Sequence, residues 1–211
     1  MSLAESLLKT NQAGRAKIGA DKLTIMDRAT ADLKAQELAN NAVKVGDDFV
    51  TSTLSNAKGA AVDLAQLLEK GPLIITFYRG GWCPYCNLEL KAFQEVLPAI
   101  KAKGAQLVAI TPETPDNSLT TTEKNELSFE VLTDLNNQLA QQLGLVIGLP
   151  EDLQTVYGEF GIDLGKHNGN DKAELPMPAT FVVNQAGKIT YRFVSEDYTK
   201  RAEPSEVLTA L

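Results

Sequence analysis

The sequence predicts an α/β sandwich, a mixed central sheet with helices on both faces, preceded by a helical extension. Three observations predict it. Residues 1–45 are rich in Ala, Leu, Lys, Asp and Glu and contain no Pro, as a helical segment would. From Gly46 onward, short apolar runs bounded by Gly and Pro alternate with stretches of helical period. Two of those runs are apolar on both faces and flank one helix, which makes a βαβ unit with a parallel pair at the centre of the sheet. A chain of 211 residues has room for one good-sized domain and an appendage. The division is 1–45 for the extension and 46–211 for the domain.

The extension reads as two helices broken near Gly19. In the second, Leu23, Met26, Ala29 or Thr30, and Leu33 recur at three- and four-residue steps and make an apolar stripe that must be covered. Packing onto the body of the chain or a homodimer contact would each cover it. In the domain, Phe49 to Leu54 is expected as an edge strand and Val62 to Lys70 as a helix stopped by Gly71-Pro72. Leu73 to Tyr78 is a buried strand, Pro84 to Lys103 a helix closed by Gly104, and Gln106 to Ile110 the second buried strand. Helices follow around Leu119 to Leu127, Asn136 to Leu143 and Glu151 to Phe160. Thr180 to Val183 and Ile189 to Val194 form a hairpin turned at Gln185-Ala186-Gly187, and Pro204 to Leu211 is helical.

Composition excludes several classes of function. The net charge is -7, which offers no cationic face to phosphate backbones or acidic lipids, so neither nucleic acid nor a membrane is an expected partner. No apolar run approaches the ~20 residues of a membrane-spanning helix. The first turns carry Glu5, Lys9 and Arg15 where a secretory signal would be apolar, so a cytoplasmic location is expected. A domain of this size folds without disulfide staples or a structural metal, which leaves its two cysteines free for chemistry.

Both cysteines lie in Arg79-Gly80-Gly81-Trp82-Cys83-Pro84-Tyr85-Cys86, between the first buried strand and its helix. Pro84 suits the first helical position, which makes Cys83 the N-cap. A thiol there faces unpaired amides and the positive end of the helix dipole, which lower its pKa from about 8.5 into the range of roughly 3.5 to 7.5. Cys86 begins the inward stripe Cys86, Leu90, Phe93, Leu97 and Ile100 and is expected to be buried. The expected arrangement presents Cys83 to solvent as the attacking thiol, with Cys86 beneath it as the resolving one. A zinc site is not expected, because the only further candidate is His167, in a Gly- and Asn-rich loop where a solvated histidine is the default. Haem attachment fails because Asn87 follows Cys86. No cofactor is implied. Pro176 and Pro178 stand just before a buried strand, and Pro178 either brings the Met177 backbone beside the thiols or forms a rigid turn with no ligand role.

On three segments the chain resembles the peroxiredoxin-like branch of the thioredoxin superfamily, grouped with alkyl hydroperoxide reductase and thiol-specific antioxidant proteins. They are Phe77 to Cys86, Pro178 to Val182, and Asp197 to Pro204. The resemblance implies a thioredoxin-like fold over about Gly46 to Leu211. It maps Cys83 and Cys86 onto the redox pair, Trp82 onto the flanking aromatic and Pro178 onto the cis-proline. The peroxiredoxin pattern Pro-x-x-x-Thr-x-x-Cys is satisfied by neither cysteine, and Phe77 stands where thioredoxin carries its buried acid. Arg79 or Arg192 could polarise an O–O bond, or each could be ordinary surface charge.

The implied activity is a thiol-dependent peroxidase acting on hydrogen peroxide or organic hydroperoxides. Cys83 is oxidised to a sulfenic acid and captured by Cys86, and a thioredoxin-like protein or glutathione restores the pair. Trp82, Arg79 and Pro178 are the substrate-binding candidates. A protein disulfide reductase and a non-enzymatic redox sensor are the alternatives.

Overall fold

The computed structural model describes residues 2–211. Two helices lead the chain. α1, Leu3–Arg15, starts at a capping box in which Ser2 and Glu5 satisfy each other's backbone N–H, and α2, Ala20–Ala35, starts at Gly19. The domain then runs β1 Thr53–Asn56, β2 Ala61–Asp63, α3 Leu64–Lys70, β3 Leu73–Phe77, α4 Pro84–Ala102, β4 Gln106–Thr111 and α5 Pro115–Lys124. It continues with β5 Glu130–Thr133, α6 Gln138–Gln142, β6 Val146–Gly148, α7 Glu151–Glu159, α8 Leu164–Asn168 and β7 Glu174–Pro176. β8 Ala179–Val183, β9 Ile189–Val194 and α9 Pro204–Thr209 complete it.

Seven strands form one mixed sheet in the order β2-β1-β5-β4-β3-β8-β9, with β3, β4 and β5 parallel and the other neighbours antiparallel. β6 and β7 pair separately. β3 is buried along its whole length, and alternate residues feed opposite faces of the sheet. Leu73, Ile75 and Phe77 meet Leu64 and Leu68 of α3 and Leu139 of α6, while Ile74 packs with Phe93, Leu97 and Ile100 of α4 and Val207 of α9. Helices therefore cover both faces, as expected.

The extension is folded against the domain. Leu3 and Leu7 of α1 share an apolar cluster with Tyr85, Cys86 and Leu90, and Ala29 of α2 packs with Leu153 and Tyr157 of α7, with Met26 and Leu33 alongside. The stripe read from the sequence is thus covered within the chain at Ala29 and half-covered at Met26 and Leu33. Several expectations need correction. The strand expected at Phe49 to Leu54 starts only at Thr53, because Phe49 is drawn into the core against Phe181, and the sheet edge is β2. β2 also takes the first two residues of the helix expected from Val62. β5, β6 and β7 had no counterpart in the sequence reading, and at three or four residues each they are too short to carry a period.

Candidate active site

The site is built on the turn from β3 to α4. Cys83 has extended backbone angles and caps α4, with Pro84 at the first helical position, as the sequence predicts. The turn is pinned on both sides. Gly81 donates its N–H to Glu113 Oε2 at 2.8 Å and accepts from Asn87 Nδ2 at 2.8 Å. Gly80 has φ +154°, and a Cβ added there would lie 2.3 Å from the Trp82 indole nitrogen, so only glycine admits the ring.

Both cysteines are free and fully buried. This corrects the expectation that Cys83 faces solvent: Leu3, Leu7, Tyr85 and Trp82 share its apolar cluster, so the helical extension closes over the turn. Burial opposes ionisation of Cys83. It is outweighed by a hydrogen bond from the Cys86 thiol and by the guanidinium groups of Arg79 and Arg201, which hold the Cys83 pKa well below the ordinary thiol value. Burial, and then the Cys83 thiolate, push Cys86 well above it. The pair thus shares one negative charge. The shortest guanidinium contact is nevertheless to Cys86, at 3.0 Å from Arg201 Nη2, against 3.8 Å from Arg79 Nη2 to Cys83. Arg201 also donates from Nε to the Glu89 carboxyl at 2.7 Å, whereas no carboxyl among the described residues accepts from Arg79.

Arg79 is buried among aromatic rings, with its guanidinium carbon 4.7 Å from the Tyr198 ring centroid and 5.0 Å from that of Trp82. Its Nη1 donates to Tyr157 Oη at 3.0 Å, while its Nε has no hydrogen-bond partner among the described residues. Of the two arginines considered from sequence, Arg79 is therefore at the site. Arg192 is not: it donates from Nε to Val43 O at 2.8 Å and also to Ala39 O, tying the extension to β9.

Sequence reasoning missed Glu89 and Arg201. Glu89 follows Cys86 by three residues on the inward face of α4, fully buried, and accepts from Thr76 Oγ1 at 3.1 Å and Arg201 Nε at 2.7 Å. Burial outweighs these partners and pushes its pKa up to about 7. An acid within the apolar stripe that starts at Cys86 was the available signal. Arg201 lies within the tail segment that carried the resemblance.

Pro178 is buried at the head of β8, and register places it beside the chain leaving β3. The peptide bond before it is trans, unlike the cis-proline onto which the resemblance mapped it. Met177 donates its N–H to Leu145 O at 2.8 Å, which removes that donor from any role in holding an extended peptide. His167 is also corrected. It belongs to the short helix α8 and is half-buried, with Nδ1 2.9 Å from Glu113 Oε1. Glu113 therefore links His167 to the Gly81 amide, and its buried carboxylate could not be inferred from a loop composition. No cluster of three His, Cys, Asp or Glu side chains suited to a metal ion occurs among the described residues.

A buried thiol at the N-cap of a helix beside a guanidinium, with a second thiol one turn on and a mixed sheet of this topology behind both, defines a thiol oxidoreductase of thioredoxin-like fold. Residues 45–192 match the model of the AhpC/TSA family, and the chain belongs to that family. Among curated proteins it is similar to the putative peroxiredoxin bcp of Buchnera aphidicola subsp. Schizaphis graminum, 26% identical over 161 residues, covering 75% of this chain and 90% of that one. It is also similar to the thiol-disulfide oxidoreductase ResA of Bacillus anthracis, 22% identical over 162 residues and covering 76% of each. Among solved structures, peroxidoxin BcpB from Mycobacterium tuberculosis shares the fold, with a TM-score of 0.63 at 20% identity over 80% of this chain and 96% of that one.

Proposed function

We propose that the chain is a thiol-dependent peroxidase in which Cys83 attacks and Cys86 resolves. The Cys83 thiolate attacks the terminal peroxide oxygen, forming an S–O bond while the O–O bond breaks. Arg79 stabilises the charge that develops on the leaving oxygen, which takes up a proton and departs as water or an alcohol. Cys86 then displaces hydroxide from the Cys83 sulfenic acid, and with the Cys86 proton this leaves as water and yields a disulfide. A small dithiol protein of the thioredoxin type, or glutathione, returns the pair to the dithiol state in a reducing, cytoplasmic setting. Trp82 forms one wall of the Arg79 site, and Pro178 supports the turn from behind. The apolar stripe of α2 leaves little for a homodimer contact, because α7 already packs on Ala29, Met26 and Leu33.

The single observation that carries this reading is the buried Cys83 beside Arg79, a cation with no carboxylate partner among the described residues. The Cys-Pro-Tyr-Cys spacing and the similarity to ResA favour reduction of protein disulfides as a second reading. The roof over Cys83 counts against it, because a protein disulfide would have to displace the helical extension. The test is stoichiometric hydrogen peroxide followed by sulfenic acid trapping and mass spectrometry. Trapping is expected to be prolonged in Cys86→Ser and absent in Cys83→Ser. Trapping on Cys86, or turnover of disulfides with none of peroxides, would overturn the assignment.

A further inference from the structure

Glu113, in the segment between β4 and α5, is a buried acid that no step of the proposed reaction uses. A carboxylate out of water is costly unless its oxygens are hydrogen-bonded. Both are: Oε2 accepts the Gly81 N–H at 2.8 Å, and Oε1 lies 2.9 Å from His167 Nδ1. No lysine or arginine among the described residues pairs with it. His167 is tied to the same segment. Its carbonyl accepts from Thr114 N at 2.9 Å and from Asn117 Nδ2 at 3.1 Å, which seats α8 on the start of α5. Its ring centroid lies 6.4 Å from that of Trp82. The imidazole thus meets both the acid that holds the Gly81 amide and the indole that follows Gly81 in the chain.

Gly81 is where a displacement would reach the sulfur. It stands two residues before Cys83, its carbonyl accepts from Asn87 Nδ2 at 2.8 Å, and a Cβ added to it would lie 2.0 Å from Thr121 Oγ1. The glycine is therefore seated between α4 and α5, with Glu113 as the acceptor for its amide. The contact from Arg79 Nη2 to Cys83 is already long at 3.8 Å, so a small outward shift of the turn would cost the thiolate its cation.

We infer that Glu113 and His167 are positioning residues of the redox turn. The imidazole orients the carboxylate, the carboxylate holds the Gly81 amide, and the Cys83 thiolate is thereby kept at the head of α4 beside Arg79. The inference deepens the peroxidase reading and rests on it for the identity of the attacking thiol. Charge and position predict opposite signs. A carboxylate acting through its charge would oppose the thiolate, so its removal would favour ionisation of Cys83. One acting through the Gly81 amide favours the thiolate, so its removal disfavours ionisation.

The test is titration of thiolate absorbance in full-length Cys86→Ser, where Cys83 is the only thiol, with Glu113→Ala, Glu113→Gln or His167→Ala added. Gln keeps an acceptor for Gly81 without the charge. Glu113→Ala and His167→Ala should raise the pH of half-ionisation by at least about one pH unit and slow oxidation by hydrogen peroxide about tenfold at neutral pH. Glu113→Gln should recover most of both. Should Glu113→Ala fail to fold, His167→Ala, which vacates a half-buried position, gives the same reading. A fall in the half-ionisation pH in both Glu113 variants would show the carboxylate acting by charge and overturn the inference. A titration unmoved in every variant, even with lost thermal stability, would overturn it as well, because that is what a merely structural pair gives. The expected shifts in a protein that no peroxide oxidises would sink the peroxidase reading and still support the pair as positioning groups.

Discussion

Arg79 is a buried cation with no acid paired to it among the described residues, and that is costly unless something negative arrives. In the proposed mechanism the Cys83 thiolate supplies that charge. Arg79→Gln should therefore slow oxidation of Cys83 by peroxide roughly 10- to 100-fold at neutral pH. The sign with pH follows from the same pairing. Without the cation the thiolate is less favoured, so the thiol titrates higher and the deficit narrows as pH rises. Stopped-flow oxidation across pH, with thiolate absorbance recorded in parallel, measures both; a deficit constant with pH would mean that Arg79 acts on the leaving oxygen alone. Glu89 obeys the opposite logic. Burial lifts its folded pKa to about 7, above the ordinary carboxyl value of 4.5, so the native state holds a proton that the unfolded chain releases. Stability carried by that proton is complete below about pH 4.5 and is lost as pH rises through about 7, on the order of 3 kcal/mol at about 1.36 kcal/mol per pH unit. Denaturant unfolding should show the difference between the native protein and Glu89→Gln declining across that window. A flat difference would mean that Arg201 keeps Glu89 ionised throughout.

At the scale of elements, the chemistry depends on how tightly the turn between β3 and α4 is held. Gly80→Ala would force the Trp82 indole away from the backbone, and a buried clash of this kind costs about 1–3 kcal/mol. Trp82 emission should shift and Cys83 should lose reactivity along with stability; a stability loss without an emission change would place the strain elsewhere. Local grammar made this turn legible in the sequence. Pro84 after Cys83, two apolar runs with a helix between them, and a four-three stripe from Cys86 are all properties of neighbours in the chain. Glu89, Arg201, Glu113 and His167 were not legible as a site because their roles depend on distant partners. Arg201 reaches Cys86 from 115 residues away, and Glu113 reaches His167 from 54. The solvent exposure expected of Cys83 failed for the same reason: N-cap geometry is local, but the roof over it comes from α1, some eighty positions earlier. Short strands such as β6 and β7 exist only as each other's partners, so a period within either segment could not reveal them.

Over the whole molecule, exposed ion pairs and buried apolar contacts both hold the extension to the domain, and they should differ in consequence. Ion pairs tie its outer surface: Lys22 to Glu159, Lys34 to Asp197, and Arg28 to Asp152. These are at least partly exposed, and such pairs contribute about 0–1 kcal/mol each. Apolar contacts lie beneath. Leu7 is buried in the same cluster as Cys83, Tyr85 and Cys86, and removing a buried leucine side chain costs about 2–5 kcal/mol. Leu7→Ala should therefore lower overall stability by that amount and, by loosening the roof, speed alkylation of Cys83 by iodoacetamide under native conditions. Lys34→Ala should change both by far less, because it removes charge from a surface without opening a path to the thiol. The two measurements must move together if the extension guards the redox pair. Should Leu7→Ala destabilise the protein while Cys83 alkylates at the native rate, the thiol would be reached by a route that does not pass under α1, and the extension would serve stability rather than access.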